Sequence, residues 1–414
     1  MIAPGPSSPT TGEPPPPVAV AGRLTTAPAA IDAAERLAPR LAERAAAHDR
    51  AGTFPEADFE DLRNEGMLGL MVPARLGGPG ASFADYARVA ITLGAASGAT
   101  ALVLNMHASV TGAMALTPDG LARALGAPET YFVARDRALG AALDGALYAV
   151  AMSERASGSR LSAVSTTYTP AAEGFHLRGS KTFVSGAGFA DAYLVAARAA
   201  HEEQARVSLF LVPAGAGVVV EQTWDSLGMR ATGSQDLHLD ATVDADALIG
   251  GIEGLSLLLA HVMPQWLVAS YAAVYVGVGW AAVGAAVEHA TARGLGCLPA
   301  VRARIGRADA QVAAAEAVVV EAARRVDADP GSPHTNRWVW RAKLLAGEMA
   351  MNVAASMLEA SGASASRRGH PLERLYRDAR CGSLQPATSD VCADWLGMAA
   401  LGGDPDNDAE ITRW

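Results

Sequence analysis

Between about Gly145 and Ile249 the sequence changes period, and that change restricts the fold more than any other feature. Short segments there set β-branched or aromatic residues against polar ones: LYAVAMSE, LSAVSTTYTP, GFHLRGSKTFVSGA, DAYLVAARA, RVSLFLVPA and GVVVEQTWDSLGMR. Alternation of this kind is the pattern of strands, and AAEGF, the Gly186/Gly188 pair and AGAG supply the turns between them. On either side apolar residues recur at helical spacing. Helices are expected from about Ile31 to Ala47, through PEADFEDLRNEGM with Pro55 near its start and acids early, and from Ser82 to Leu116. Pro73 and the glycines 77, 78 and 80 make a loop between the last two. Beyond Glu253 come Leu255 to Arg293, Val301 to Ala328, Arg337 to Gly362 and a last run after Pro386, the pattern of an antiparallel bundle. The expected fold is α+β: an N-terminal helical domain (25–144), a middle antiparallel, barrel-like β domain (145–250) and a C-terminal four-helix bundle (251–400). A disordered Pro-rich tail (1–24) and a polar tail (401–414) flank them.

Composition removes several function classes. The 414 residues carry 33 Lys+Arg against 43 Asp+Glu, a net charge of −10, and no Lys/Arg-rich run. Such a chain lacks the basic footprint that nucleic acid or an anionic membrane requires, so neither partner is expected. The apolar half is mainly Ala, Val and Leu, with aromatics at 6%, which favours close helix packing. The apolar stretch from Leu255 to Val287 is interrupted by His261, Pro264 and Gln265 and reads as a bundle helix, not a membrane span. Cys297, Cys381 and Cys392 are too scattered for a disulfide framework or a zinc site. With no basic-then-apolar segment at the start, a cytoplasmic location is expected. His261 and His289 fall on predicted helices as lone histidines, and no metal site is expected.

Five segments, in order, resemble the acyl-CoA dehydrogenase superfamily of flavoproteins. LRNEGMLGLMVPARLGGPG (62–80) looks like its first-domain loop. AMSERASGSR (151–160) stands where the family has Thr-Glu-Pro-x-x-Gly-Ser-Asp, and GSKTFVSGAGFADAYLVAA (179–197) matches Gly-x-Lys-x-(Trp/Phe)-(Ile/Val)-(Thr/Ser). LGMRATGSQDL (227–237) matches Gly-x-Arg-x-(Ser/Thr), and HPLERLYRDAR (370–380) matches Pro-x-(Glu/Gln)-Arg-x-x-Arg-Asp. The resemblance implies FAD, or reduced FMN or FADH2 supplied by a reductase. It puts Met152 and Ser153 along the isoalloxazine, Ser159 near the pyrophosphate, Phe183 on the ring and Ser185 near flavin N5. Thr388 matches a threonine of the C-terminal loop. Residue chemistry alone leaves a second reading: serines at strand ends satisfy turns, and Phe183 packs in a barrel core. The resemblance further implies a homo-oligomer, dimer or tetramer, acting on an acyl thioester or another small molecule.

The chain departs from the family where proton abstraction is needed. Desaturation requires a carboxylate within reach of the substrate α-carbon. In RDARCGSLQPATSD the place of the family's glutamate is held by Pro386, and the alternative place on the first bundle helix offers Gln265. Asp390 and Glu253 are the nearest replacement carboxylates, and the catalytic residue stays unassigned. The oxygenase branch needs no such base, although the histidine it tends to carry near Gln385 is absent. The family's Arg-Lys/Gln-x-Phe-Gly segment, which reaches a neighbouring subunit's cofactor, is replaced by TARGLGCLPAVRAR (291–304), with Arg293 or Arg302 as stand-ins. Arg374, Arg377 and Asp378 read as a structural ion-pair cluster, and Trp338 and Trp340 as packing residues. Three functions follow: α,β-desaturation of an acyl thioester, two-component flavin monooxygenation, or a catalytically silent subunit of a heteromeric dehydrogenase.

Overall fold

The computed structural model describes residues 24–202, 206–215 and 217–406. The Pro-rich tail up to residue 23, and residues 407–414 of the polar tail, lie outside the described residues. Among the described residues, six helices come first: α1 (Ala27–Ala51), α2 (Glu56–Asn64), α3 (Phe83–Ala96), α4 (Gly98–Leu116), α5 (Asp119–Ala124) and α6 (Glu129–Leu143). Their starts are written in the sequence. Thr26 accepts from the Ala29 N–H ahead of α1, and Ser82 and Asp85 form a reciprocal capping box on α3. α4 is apolar on nearly every face and buried along most of its length, the mark of a central core helix.

Seven strands follow: β1 (Tyr148–Ala151), β2 (Thr167–Ala171), β3 (Gly174–Val184), β4 (Ala192–Ala199), β5 (Val207–Pro213), β6 (Val218–Glu221) and β7 (Gln235–Asp244). They form one sheet in the order β1-β4-β2-β3-β7-β6, with β5 on β4. Most pairings are antiparallel, as expected, and the exceptions are at β4, where β1 and β2 both run parallel to it. Alternation in a sequence reports which face a side chain takes. Strand direction follows from long-range connections such as the excursion from β1 through β2 and β3 to β4.

The C-terminal helices are α7 (Leu255–Val262), α8 (Ala269–Ala292), α9 (Pro299–Ala328), α10 (Pro333–Ser361), α11 (Pro371–Arg380) and α12 (Ser389–Ala400). Two expectations change. The single helix from Leu255 to Arg293 is two, split by a 3₁₀ turn at Pro264–Trp266, since Pro264 lacks the N–H that would continue α7. The four long bundle helices become three, α8 to α10, with α3 packed against α8 and short α11 and α12 closing the end. α3 and α8 cross at glycines. A Cβ on Gly94 would lie 2.5 Å from the Val274 carbonyl oxygen, and one on Gly277 would lie 2.3 Å from that of Ile91. Among the described residues, two helical stretches have the length and apolarity of a membrane span, Gly98–Leu116 and Pro264–Ala292, and 83% and 72% of their apolar windows are buried inside the protein.

Candidate functional site

The strand end after β1 is held from below by a buried ion pair. Lys181 Nζ donates to Glu154 Oε1 at 2.7 Å and reaches the Met152 carbonyl at 3.4 Å. Glu154 also accepts from the Ser165 N–H, the Ser165 hydroxyl and the Thr166 N–H. Burial pushes the Glu154 carboxyl up, but Lys181 and the Ser165 donors outweigh it and hold it at about 2. Burial lowers Lys181 to about 8 against the pull of Glu154. The pair therefore stands ionised at neutral pH. Ser153 is tied in as well, its carbonyl accepting from the Thr182 N–H at 2.9 Å. Met152, Ser153 and Ser159 are all half-buried.

Phe183 is not core. It is 62% exposed, adopts φ of 57°, and meets Trp224 edge-on at 6.0 Å where the β3–β7 register shifts. A large residue held at positive φ is strained, and strain of this kind collects at functional sites. The reading of Phe183 as barrel core is thus removed. Ser185 is buried and ends a run of hydroxyls: Ser185 Oγ lies 2.9 Å from Ser234 Oγ, Ser234 Oγ lies 2.7 Å from Thr232 Oγ1, and Thr232 donates to the Met229 carbonyl.

The C-terminal loop is organised by Lys343. Its buried ammonium donates to the carbonyls of Gly382 (2.9 Å), Gln385 (3.1 Å) and Ala387 (2.8 Å), and burial lowers it to about 8. Tyr275 donates to Gln385 Oε1 at 2.7 Å. Thr388 caps α12 by accepting from the Val391 N–H, so its hydroxyl already has a structural use. Arg377 makes a bidentate bridge to Asp49 and pairs with Glu373, while Asp378 accepts from the Met229 N–H. That cluster joins three parts of the chain and is structural, as its residue types suggest.

Between the C-terminal half of α4, the sheet and the α7–Trp266 segment lies a cavity of about 230 Å³. Met152 lines it together with Val110, Met114, Leu161, Leu194 and Leu259, and Gln265 stands in its wall. Among its described lining residues the one carboxylate is Asp327, whose two oxygens accept from the N–H groups of Phe83 and Ala84 at the start of α3. Asp390 is exposed in the first turn of α12, and Glu253 accepts from the Tyr168 hydroxyl at 2.7 Å. Neither lines the cavity. A second cavity of about 500 Å³ lies between α6 and the sheet, and its Arg135 and Arg137 are paired with Asp119, Asp136 and Asp246.

Some residues escape sequence reasoning. His107, buried in α4, donates from Nε2 to the Leu68 carbonyl and accepts at Nδ1 from the Tyr148 N–H, fixing β1 against α4. Burial lowers it to about 4, so it is neutral. His289 is not alone, since His370 Nε2 lies 3.1 Å from its Nδ1. Trp340 stacks on Trp395 at 5.3 Å, and Trp338 lies between Arg325 and Arg341, which makes both packing residues. Among the described residues no three His, Cys, Asp or Glu converge.

Helices, sheet and helices around a serine-bearing strand end, with an apolar cavity beside it, define a flavin-dependent oxidoreductase. The donor chemistry fits the cofactor: small hydroxyls at Ser153, Ser159 and Ser185 suit a flavin's polar edge, the buried Ser157 Oγ has no partner, and the exposed Phe183 offers a flat apolar surface. Models of the acyl-CoA dehydrogenase N-terminal, middle and C-terminal domains match residues 30–120, 149–242 and 268–400. The chain belongs to the acyl-CoA dehydrogenase family. It is 31% identical over 418 residues to the L-evernosamine nitrososynthase of a Micromonospora species, covering 96% of this chain and 94% of that protein. The structure of KijD3 with FMN and a dTDP-linked amino-keto sugar is similar at a TM-score of 0.79 and 29% identity, over 93% of this chain and 98% of that one. The FMN-bound dibenzothiophene monooxygenase TdsC from Paenibacillus sp. A11-2 is similar at 0.78 and 25% identity, over 90% and 97%.

Proposed function

We propose that this protein is a two-component flavin monooxygenase, which takes reduced FMN from a separate reductase and oxygenates a small molecule with dioxygen. The observation that carries the reading is that, among the described residues, no carboxylate near the site is free to act as a base. Desaturation of an acyl thioester, the first function drawn from the sequence, cannot start without one. Pro386 and Gln265 hold the two places for it, Asp327 is committed to the start of α3, and Asp390 and Glu253 stand away from the cavity. An oxygenase dispenses with this base, because bound reduced flavin supplies the electrons that activate dioxygen. The nitrososynthase and monooxygenase relatives support the same choice.

The chain's own residues then have defined tasks. Met152, Ser153 and Ser159 would hold the cofactor along the strand end, and Phe183 would cover one face of its ring. Ser185 would lie near flavin N5, its hydroxyl oriented by Ser234 and Thr232. Lys343 fixes the Gln385 loop through the carbonyls of Gly382, Gln385 and Ala387. The apolar lining excludes water, which protects reactive species from hydrolysis and from loss to solvent. Arg302 donates to the carbonyls of Gly296 and Cys297 within its own turn, which favours FMN over an FAD gripped through residues 291–304.

The reading is tested by anaerobic addition of saturated acyl-CoA thioesters, short to long, to flavin-loaded protein. Oxidised flavin absorbance should persist with every chain length. Bleaching with any of them would return the assignment to desaturation.

A further inference from the structure

The amide oxygen of Gln265 is buried without a partner. The residue is 5% exposed and its Oε1 accepts no hydrogen bond, yet it lines the cavity beside Met152. Its position is fixed from several sides. Pro264 opens the 3₁₀ turn, and the Trp266 carbonyl accepts from the hydroxyls of Ser109 at 3.1 Å and Ser270 at 2.8 Å. The Trp266 ring packs edge-on to Phe83 at 4.7 Å, and it lies so close to Gly112 that a Cβ there would come within 2.1 Å of it. A rigid turn that holds an unsatisfied polar group in a cavity wall is costly to the fold, and a ligand that completes the hydrogen bond removes that cost.

The remaining lining restricts what that ligand is. Among the described lining residues there is no Lys, Arg or His, and the one carboxylate is occupied by backbone N–H groups. A phosphate or carboxylate finds no counter-charge among them. The volume of about 230 Å³ is below the ~300–1,000 Å³ typical of drug-sized ligands.

We propose that Gln265 is the polar anchor of the substrate cavity, its amide oxygen accepting a hydrogen bond from the N–H or O–H of a small, uncharged, mostly apolar molecule. This rests on the oxygenase reading for its meaning as a substrate site, but binding itself needs neither reductant nor oxygen.

Indole and indene test it, since the two have nearly the same shape and differ by one N–H. Equilibrium dialysis against the flavin-loaded protein should give roughly tenfold tighter binding of indole, the worth of one net hydrogen bond. In Gln265→Leu the preference should fall to about one while indene still binds, which shows that the cavity remains folded. Equal affinities in the unmodified protein, a preference that survives in Gln265→Leu, or failure of both probes to bind overturns the proposal. Those outcomes leave the acyl-CoA test of the oxygenase reading untouched, and bleaching by acyl-CoA would leave the indole preference standing.

Discussion

Lys181 and Glu154 meet inside the protein, Nζ to Oε1 at 2.7 Å, with side chains 0% and 4% exposed. Removing one partner strands the other as an unpaired buried charge. Lys181→Met should cost about 3–5 kcal/mol in urea unfolding. The same substitution frees the Met152 carbonyl, so FMN fluorescence titration should show weaker binding even where the protein remains folded. Unchanged FMN affinity would separate the ion pair from the cofactor site.

Acid dependence follows from the same carboxyl. Glu154 titrates at about 2 in the folded protein, below its ordinary 4.5, so its contribution is complete above the unfolded value. That contribution is lost as pH falls from about 4.5 toward 2. The stability difference between the unmodified protein and Glu154→Gln should shrink across that window.

His107 adds a second, higher window. Its ring is lowered from 6.5 to about 4 by burial, so between those values the unfolded chain holds more protons than the folded one. Stability should fall as pH drops from about 6.5 to 4, and this slope should vanish in His107→Phe. The substitution orphans the Leu68 carbonyl and the Tyr148 N–H, at about 1–3 kcal/mol each. Urea unfolding at several pH values measures both effects.

Phe183→Ala distinguishes surface from core. An exposed ring contributes little to folding, so stability should stay within about 0.5 kcal/mol. FMN affinity should drop by roughly tenfold if the ring packs on the isoalloxazine, in line with the ~0.5–1.5 kcal/mol of an aromatic pair. Fluorescence titration reads the second effect and thermal unfolding the first.

Lys343→Met should release the loop after α11. Three carbonyls lose their shared donor, and hydrogen exchange over residues 381–388 should accelerate while α10 keeps its protection. Uniform acceleration of both would mean that Lys343 stabilises the bundle and not the loop.

The sequence located the sheet because alternation is a local signal, and Ser82 opened the expected helical stretch where α3 begins, whereas the break at Pro264 was passed over by a continuous apolar run. What it could not disclose was long-range pairing. Arg377 and Asp49 stand 328 positions apart, and nothing at either site names the other. Strand direction at β4 was hidden for the same reason. Phe183 was legible as a motif residue, but its exposure and positive φ depend on the register shift between β3 and β7. Gln265 could be read as an amide in a base's place, whereas its lack of a partner emerged only when α4, α7 and the sheet enclosed it.

The central claim is oxygen transfer, and isotope labelling tests it most directly. The protein is supplied with FMN, a flavin reductase, NADH and indole under oxygen-18 gas, and the product is analysed by mass spectrometry. The account predicts a product that carries one oxygen-18 atom and forms only when protein and reductase are both present. Indole recovered unoxygenated with both components present, or a product without the label, would contradict it.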